Sequence, residues 1–382
     1  MNPKDFKKIY LDNNATTSID KEVLDQIINL TLPLNPSSAH FYGKKAKELL
    51  EDARDKIASY LKVKAPNLVF TSGGTESSNL GIRSLLENSS KPQEKGHIIA
   101  SDIDHSCVYQ TLKHLEKKGF EISYIKVGKY GAIKPDQILP LIKENTKLIV
   151  TSFVNAETGI KVDLDKIAKI AEEKDIFLFV DAVALLGKEE FVISKGVTSM
   201  GFSSHKLHGP QGIGMCYFKE GTKMSPLFFG GPQEFEKRPG TQNLRGIVGF
   251  AKAVELLNKY LPKATENMQN LRDHFETTLK NELKDIHING EGPRVCNTSN
   301  ICFKGVDAES LLILLDREGV LASHGSACAS GSMELSRVLL NMGIDPKDVR
   351  SSVRFSVCRN TTFEEIDKAL KIIISVVNKL RS

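Results

Sequence analysis

Between residues 67 and 219, short apolar runs alternate with longer amphipathic stretches. The apolar runs fall at residues 68–70, 97–100, 122–127, 148–154, 177–180, 199–202 and 214–218. Each has strand length, and several are rich in Val, Ile and Phe. Residues 76–86, 108–118 and 164–174 place their apolar side chains at helical spacing instead. Strand and helix taking turns in this way predict an α/β fold with a mainly parallel seven-stranded sheet covered by helices. A Gly/Pro-rich passage at 229–240 closes that pattern, and a long helical stretch at 246–283 leads into a β-rich region. Thr362 and Glu365 form a capping-box signature ahead of a last helix, residues 363–380, with an apolar stripe. A smaller α+β domain is expected there. The expected division gives residues 15–255 to the large domain, and residues 1–14 with 256–382 to the small one.

Length supports two domains, since 382 residues exceed the roughly 250–300 at which one core stops growing. Apolar residues make up 40% and charged residues 26%, as in ordinary soluble proteins. Fifty-two Lys and Arg against 47 Asp and Glu leave a net charge of +5, spread through mixed-charge helices rather than gathered in blocks. Nucleic acid is not an expected partner. The first twenty residues carry Lys4, Asp5, Lys7 and Lys8 without an apolar h-region, and the run at 372–377 is broken by Ser375 and too short to span a bilayer. A cytoplasmic protein without membrane association is expected. Its six cysteines, Cys107, Cys216, Cys296, Cys302, Cys328 and Cys358, contain no C-x-x-C pair and are read as free thiols.

Several residues near predicted strand ends could carry chemistry. Asp181 closes the apolar run at 177–180, at the edge where open α/β sheets bind ligands. Alone it is a turn residue. Lys206 stands in the polar stretch Ser203-Ser204-His205-Lys206 behind the next strand, and a lone Lys there belongs to the surface. Together the two suit pyridoxal phosphate, where an acid keeps the pyridine nitrogen protonated and a lysine forms the Schiff base. Thr71-Ser72-Gly73-Gly74-Thr75 joins a strand to a helix N-terminus, an arrangement whose N–H groups and dipole favour a phosphate. Ser203, His205 and Thr241 are further donors, while G-x-G-x-x-G after a strand and G-K-[ST] are both missing. His105 follows another strand and could stack on a ring or move protons. His205 and His208 lack a third ligand at metal spacing, so no metal is expected. Cys328 lies among small residues between Gly325 and Gly331, where an accessible thiol is favoured over a core one. Arg354 alternates with apolar residues on a strand and could grip a carboxylate bidentately.

Taken in order, these pieces resemble the NifS/IscS-like cysteine desulfurases of the class V aminotransferase family along nearly the whole chain. The resemblance rests on residues 10–17, 35–40, 71–79, 155–159, 203–214, 238–241 and 325–328. It implies a fold-type I pyridoxal-phosphate transferase that converts L-cysteine to L-alanine and holds the sulfur as an enzyme persulfide for iron–sulfur cluster or thio-cofactor assembly. It implies Lys206 as the Schiff-base lysine, Asp181 at the pyridine nitrogen and His105 on the ring. Gly74, Thr75, Ser203 and His205 would take the phosphate, with Thr241 supplied across a homodimer. Asn155, Arg354 and Asn35 would bind substrate, Cys328 would accept the sulfur, and an acceptor protein would then receive it.

Three departures stand out. Ala184 occupies the position where the family normally has Gln to hydrogen-bond the cofactor's ring hydroxyl, and Ala156 follows Asn155 where a second Asn is usual. The chain stops at Ser382 without the tail that scaffold-binding relatives use, so delivery to such a scaffold is an open expectation. A selenocysteine lyase or other lyase or aminotransferase on the same fold is the alternative function. A non-catalytic sulfur-binding partner protein is the alternative of another class.

Overall fold

The computed structural model describes residues 8–86, 95–325 and 335–382. Its main sheet has seven strands in the spatial order Leu68–Thr71, Gly214–Phe218, Ser199–Ser203, Phe177–Asp181, Thr146–Ser152, His97–Ser101 and Glu121–Ile125. All neighbours run parallel except Gly214–Phe218, which is antiparallel to both strands beside it. The mainly parallel α/β sheet expected from the alternation is the one observed. Side-chain alternation explains why such apolar runs are strands. In Phe177–Asp181, Leu178 and Val180 join one core while Phe179 joins the core on the opposite face. Helices Gly74–Leu86 and Ser106–Lys117 cover that second face, and helices Phe41–Leu61 and Leu164–Glu173 cover the first.

A separate three-stranded antiparallel sheet, in the order Ser352–Ser356, Thr298–Phe303, Ile286–Ile288, packs with helices Ala308–Arg317 and Phe363–Arg381 around its own core. Ile9–Tyr10 pairs in parallel with Val320–Leu321, which brings the N-terminal segment beside this sheet. Helix Leu244–Glu282 runs through both cores: its residues up to Leu261 belong to the large one, and those from Ala264 onward to the small one. The changeover falls at Pro262, inside one continuous helix.

Boundaries differ from the expected ones where a cap was overlooked. The long helix starts at Leu244 rather than 246 because the Asn243 side chain accepts the Gly246 N–H. The helix expected from residue 76 starts at Gly74, directly behind the turn. Thr362 and Glu365 do form the capping box that opens the last helix.

Candidate active site

The parallel strands end at one edge, and their last residues set the site. In register, Ser152 stands opposite Asp181 and Asp181 opposite Gly201. Above this edge opens a cleft of about 490 Å³, of the size that small-molecule sites have. Gly74, Thr75, His105, Asn155, Asp181, Ser203, His205, Lys206 and Arg354 all line it, which brings together nine residues from widely separated stretches of sequence. Asn35 and Thr241 do not line it in the single chain. Thr241 is exposed, and the Asn35 side chain accepts the Ser37 N–H in its own turn. Cys328 lies outside the described residues.

Asp181 is buried, and its Oδ1 accepts the Val183 N–H at 3.0 Å. Burial pushes its carboxyl above the usual carboxylate range, against the pull of His105, Val183 and Lys206. Lys206 sits in the 3₁₀ turn Ser204–Lys206, immediately after strand Ser199–Ser203. Its Nζ donates to the carbonyls of Asn14 and Ala15, the latter at 2.7 Å. The same turn is laced to the N-terminal segment, because the Thr17 N–H and hydroxyl both donate to the His205 carbonyl. His205 is held down to about 4 by burial and by Lys206, so its ring is neutral near pH 7 and its Nδ1 lies 3.1 Å from the Thr16 hydroxyl.

Helix Gly74–Leu86 points its first turn at the cleft, and there is little room beside residue 74. A Cβ on Gly74 would meet Val183 Cγ2 at 2.9 Å. His105 is the N-cap of helix Ser106–Lys117, its Nδ1 accepting the Cys107 N–H, and the Cys107 Sγ lies 3.0 Å from the same nitrogen.

Arg354 reaches the cleft from strand Ser352–Ser356. Its Nη2 donates to Asp12 Oδ1 at 2.7 Å and its Nη1 to the Ala156 carbonyl at 3.1 Å. Its Nε is buried without a hydrogen-bond partner among the described residues. The Asn155 amide is largely occupied: Nδ2 donates to the Ile103 carbonyl, and Oδ1 accepts from the Glu157 and Thr158 N–H groups. One amide N–H remains for a ligand. Ala184 lines the cleft and supplies no side-chain donor.

The sequence alone did not single out several residues that build this site. Asp104 is fully buried and accepts from the Ser152 N–H and hydroxyl and from the Ser101 hydroxyl, so one carboxylate ties two strand ends together beside His105. Burial raises its carboxyl as well. Asp12 orients Arg354, and Asn14 donates to Thr298 Oγ1 and the Ala156 carbonyl. Lys188, also buried, donates to the Lys206 carbonyl at 3.0 Å. The signals were faint: Asp12 directly follows an apolar run as Asp181 does, Asp104 is separated from one by Ser101, Asp102 and Ile103, and nothing local marks Lys188.

Residues 9–369 match the family "Aminotransferase class-V". The chain belongs to that family. Among its class V relatives, the "Cysteine desulfurase" of Trichormus azollae is 38% identical over 378 residues, covering 98% of this chain and 94% of the relative. A solved "NifS-like protein" superposes with a TM-score of 0.90 at 34% identity, covering 97% of this chain and all of the other. The structure described as "SspA in complex with cysteine" has a TM-score of 0.81 at 30% identity, covering 93% of this chain and 100% of the other. The NifS/IscS-like resemblance read from the motifs is therefore matched along the whole class V chain. Among the described residues, no helix is long and apolar enough to cross a membrane.

Proposed function

We propose that the protein is a pyridoxal-phosphate-dependent cysteine desulfurase that moves the sulfur of free L-cysteine onto Cys328 as a persulfide and releases L-alanine. The observation that carries this reading is the meeting of Asp181, Lys206, His105 and Arg354 in one cleft. An acid, an amine, an imidazole and a guanidinium arrive there from four different strands or the turns behind them.

The residues fit the cofactor on two counts and the substrate on one. The first turn of helix Gly74–Leu86 presents N–H groups to an anion, with Ser203 and His205 in the same lining. Asp181 is a buried carboxyl whose raised proton affinity a neighbouring pyridinium would relieve. The Arg354 Nε is a buried donor that a substrate carboxylate would satisfy.

When bound, pyridoxal phosphate supplies an electron-withdrawing ring that stabilises negative charge on the substrate α-carbon. Asp181 would keep the ring nitrogen protonated, and His105 would lie against the ring. Gly74, Thr75, Ser203 and His205 would hold the phosphate, joined by Thr241 of the partner subunit in a homodimer. Arg354 and Asn155 would grip the cysteine carboxylate, with Asn35 also on the substrate side. The Lys206 amine would take the α-proton and return it. The Cys328 thiolate would attack the substrate sulfur, so that the C–S bond breaks as the S–S bond forms, and the carbon fragment leaves protonated as alanine. Residues 15–255 would form the cofactor-binding domain, and residues 1–14 with 256–382 the domain bearing Cys328. A cytoplasmic acceptor protein for iron–sulfur or thio-cofactor assembly would receive the sulfur.

The test is to incubate the purified protein with L-cysteine, quantify alanine and examine Cys328 by mass spectrometry. Alanine and a persulfide on Cys328 are expected from the wild type, and neither from Lys206→Ala. A Cys328→Ser variant making alanine from cysteine at the full rate would overturn the persulfide step. Activity on selenocysteine without activity on cysteine would favour the lyase reading.

A further inference from the structure

We propose that His287, Cys302 and Asp348 form a binding site for a zinc-class divalent ion on the small sheet, outside the cleft. The three donors come from three elements. His287 and Cys302 stand directly opposite each other in the antiparallel pairing of Ile286–Ile288 with Thr298–Phe303, so their side chains share one face a single cross-strand step apart. Asp348 arrives from the short helix Pro346–Arg350, which is seated by its buried Val349. His287 Nε2 lies 3.9 Å from Asp348 Oδ2, and one ligating atom from each residue lies within 4.8 Å of the other two. A tetrahedral ion with bonds of about 2.0–2.3 Å holds its ligands roughly 3.3–3.8 Å apart. Side-chain shifts of about 1 Å close the set around such an ion. Among the described residues no other group of three His, Cys, Asp or Glu side chains is so placed.

The donor set selects the ion. Thiolate and imidazole favour zinc over magnesium or calcium, and one carboxylate is compatible with it. Cys302 is fully buried and forms the floor, while His287 is exposed enough to let an ion in and leaves the fourth position to water. Lys304 Nζ, 3.8 Å from the same Asp348 oxygen, is a cation on an exposed, flexible stem that gives way to the ion. Binding breaks one S–H bond, forms one S–metal bond and releases one proton to solvent. Cys302 is also in register with Ser352, two residues before Arg354 on the same strand. An ion at this corner ties two strands of the small sheet to the helix that precedes the strand carrying Arg354.

Cobalt(II) is the probe, because thiolate ligation gives it an intense sulfur-to-metal absorption. The full-length holoenzyme carrying Cys328→Ser, which removes the proposed catalytic thiol, is titrated with cobalt and then challenged with zinc. One cobalt per chain, with that absorption and displaced by zinc, is expected. Adding Cys302→Ser should abolish the absorption. His287→Gln, at a half-buried position, should weaken binding by roughly the 10- to 100-fold that even an outer partner of a metal ligand contributes. The proposal is overturned if no stoichiometric absorption appears, if it survives Cys302→Ser, or if His287→Gln binds as tightly as its parent. Should Cys302→Ser fail to fold, the His287→Gln result decides alone.

Discussion

Arg54 and Arg354 are both almost completely buried, at 1% and 2% exposure, yet their surroundings differ. Arg54 meets Glu234 through two nitrogens at 2.8 and 2.9 Å, donates to the Leu68 carbonyl at 2.8 Å, and turns its Nε to Glu51. Phe70 and Phe235 lie against its guanidinium at 4.7 and 5.0 Å. Glu234 in turn accepts the Phe70 N–H and the Gln242 amide. This charge is closed on all sides. It also holds Glu234, Phe235 and Glu236 in three consecutive left-handed conformations that non-glycine residues seldom adopt. Arg354 opens instead into the cleft and keeps one buried N–H unmatched among the described residues. Burial is common to the two charges, and completeness of pairing is what separates them.

The largest expected effect lies on the closed side. Glu234→Gln keeps the shape but leaves the Arg54 guanidinium buried without its counter-charge, a loss of about 3–5 kcal/mol. Urea unfolding should show it, while KM for cysteine in the molecules that remain folded should be unchanged. A mild stability loss with a raised KM would mean that the pair serves the cleft and would erase the contrast. Arg354→Lys tests the open side. It keeps the charge and loses the forked donors, and charged hydrogen bonds contribute about 1.5–3 kcal/mol, so kcat/KM for cysteine should fall roughly 10- to 150-fold. Its unfolding midpoint should move far less than that of Glu234→Gln.

A third prediction concerns His208, which packs below the Lys206 turn. Its Nδ1–H donates to the Ser18 carbonyl at 2.9 Å, and its φ of 67° is left-handed. Burial, with Arg359 and Lys188 nearby, holds its ring down to about 4. Between pH 6.5 and about 4 the unfolded chain therefore binds a proton that the native chain refuses, so stability falls as pH falls through this window. His208→Asn retains a donor and accepts the left-handed backbone but does not titrate. From pH 7 to pH 5 the wild type should lose about 1–2 kcal/mol more stability than this variant. Equal losses would show that another group carries the acid sensitivity.

Much of this arrangement was legible in the sequence because it depends on local order. Asp181 and Lys206 each follow an apolar run, and parallel strands deliver such positions to one edge. Gly74 could be read from its place between strand and helix. The residues that were not legible act between separate elements, whether near or far along the chain. Asp104 ties the strand ends at Ser101 and Ser152, and Asp12 orients Arg354 from 342 positions away. Lys188 reaches the Lys206 carbonyl from a segment with no periodic signal. His287, Cys302 and Asp348 show no ligand spacing in the sequence and meet only through strand register and the placement of one short helix. Periodicity reports which face a residue takes, but not which distant face it meets.

The smallest expected effect lies at Ala184, where the open cleft lacks a donor that the resemblance implies. The Ala184 side chain packs partly against the small core and also lines the cleft, so a longer side chain can extend into free volume. Ala184→Gln should add one neutral hydrogen bond to the cofactor's ring hydroxyl, about 0.5–1.5 kcal/mol. That corresponds to roughly 2- to 10-fold tighter retention of pyridoxal phosphate. Dialysis followed by reconstitution, read from the cofactor's absorption, measures the change. Retention that improves in Ala184→Gln but not in the similarly sized Ala184→Met would assign the gain to the amide donor rather than to filled volume. Equal retention in both would place the ring hydroxyl away from residue 184 and leave Asp181, His105 and the turn at Gly74 as the groups that orient the cofactor.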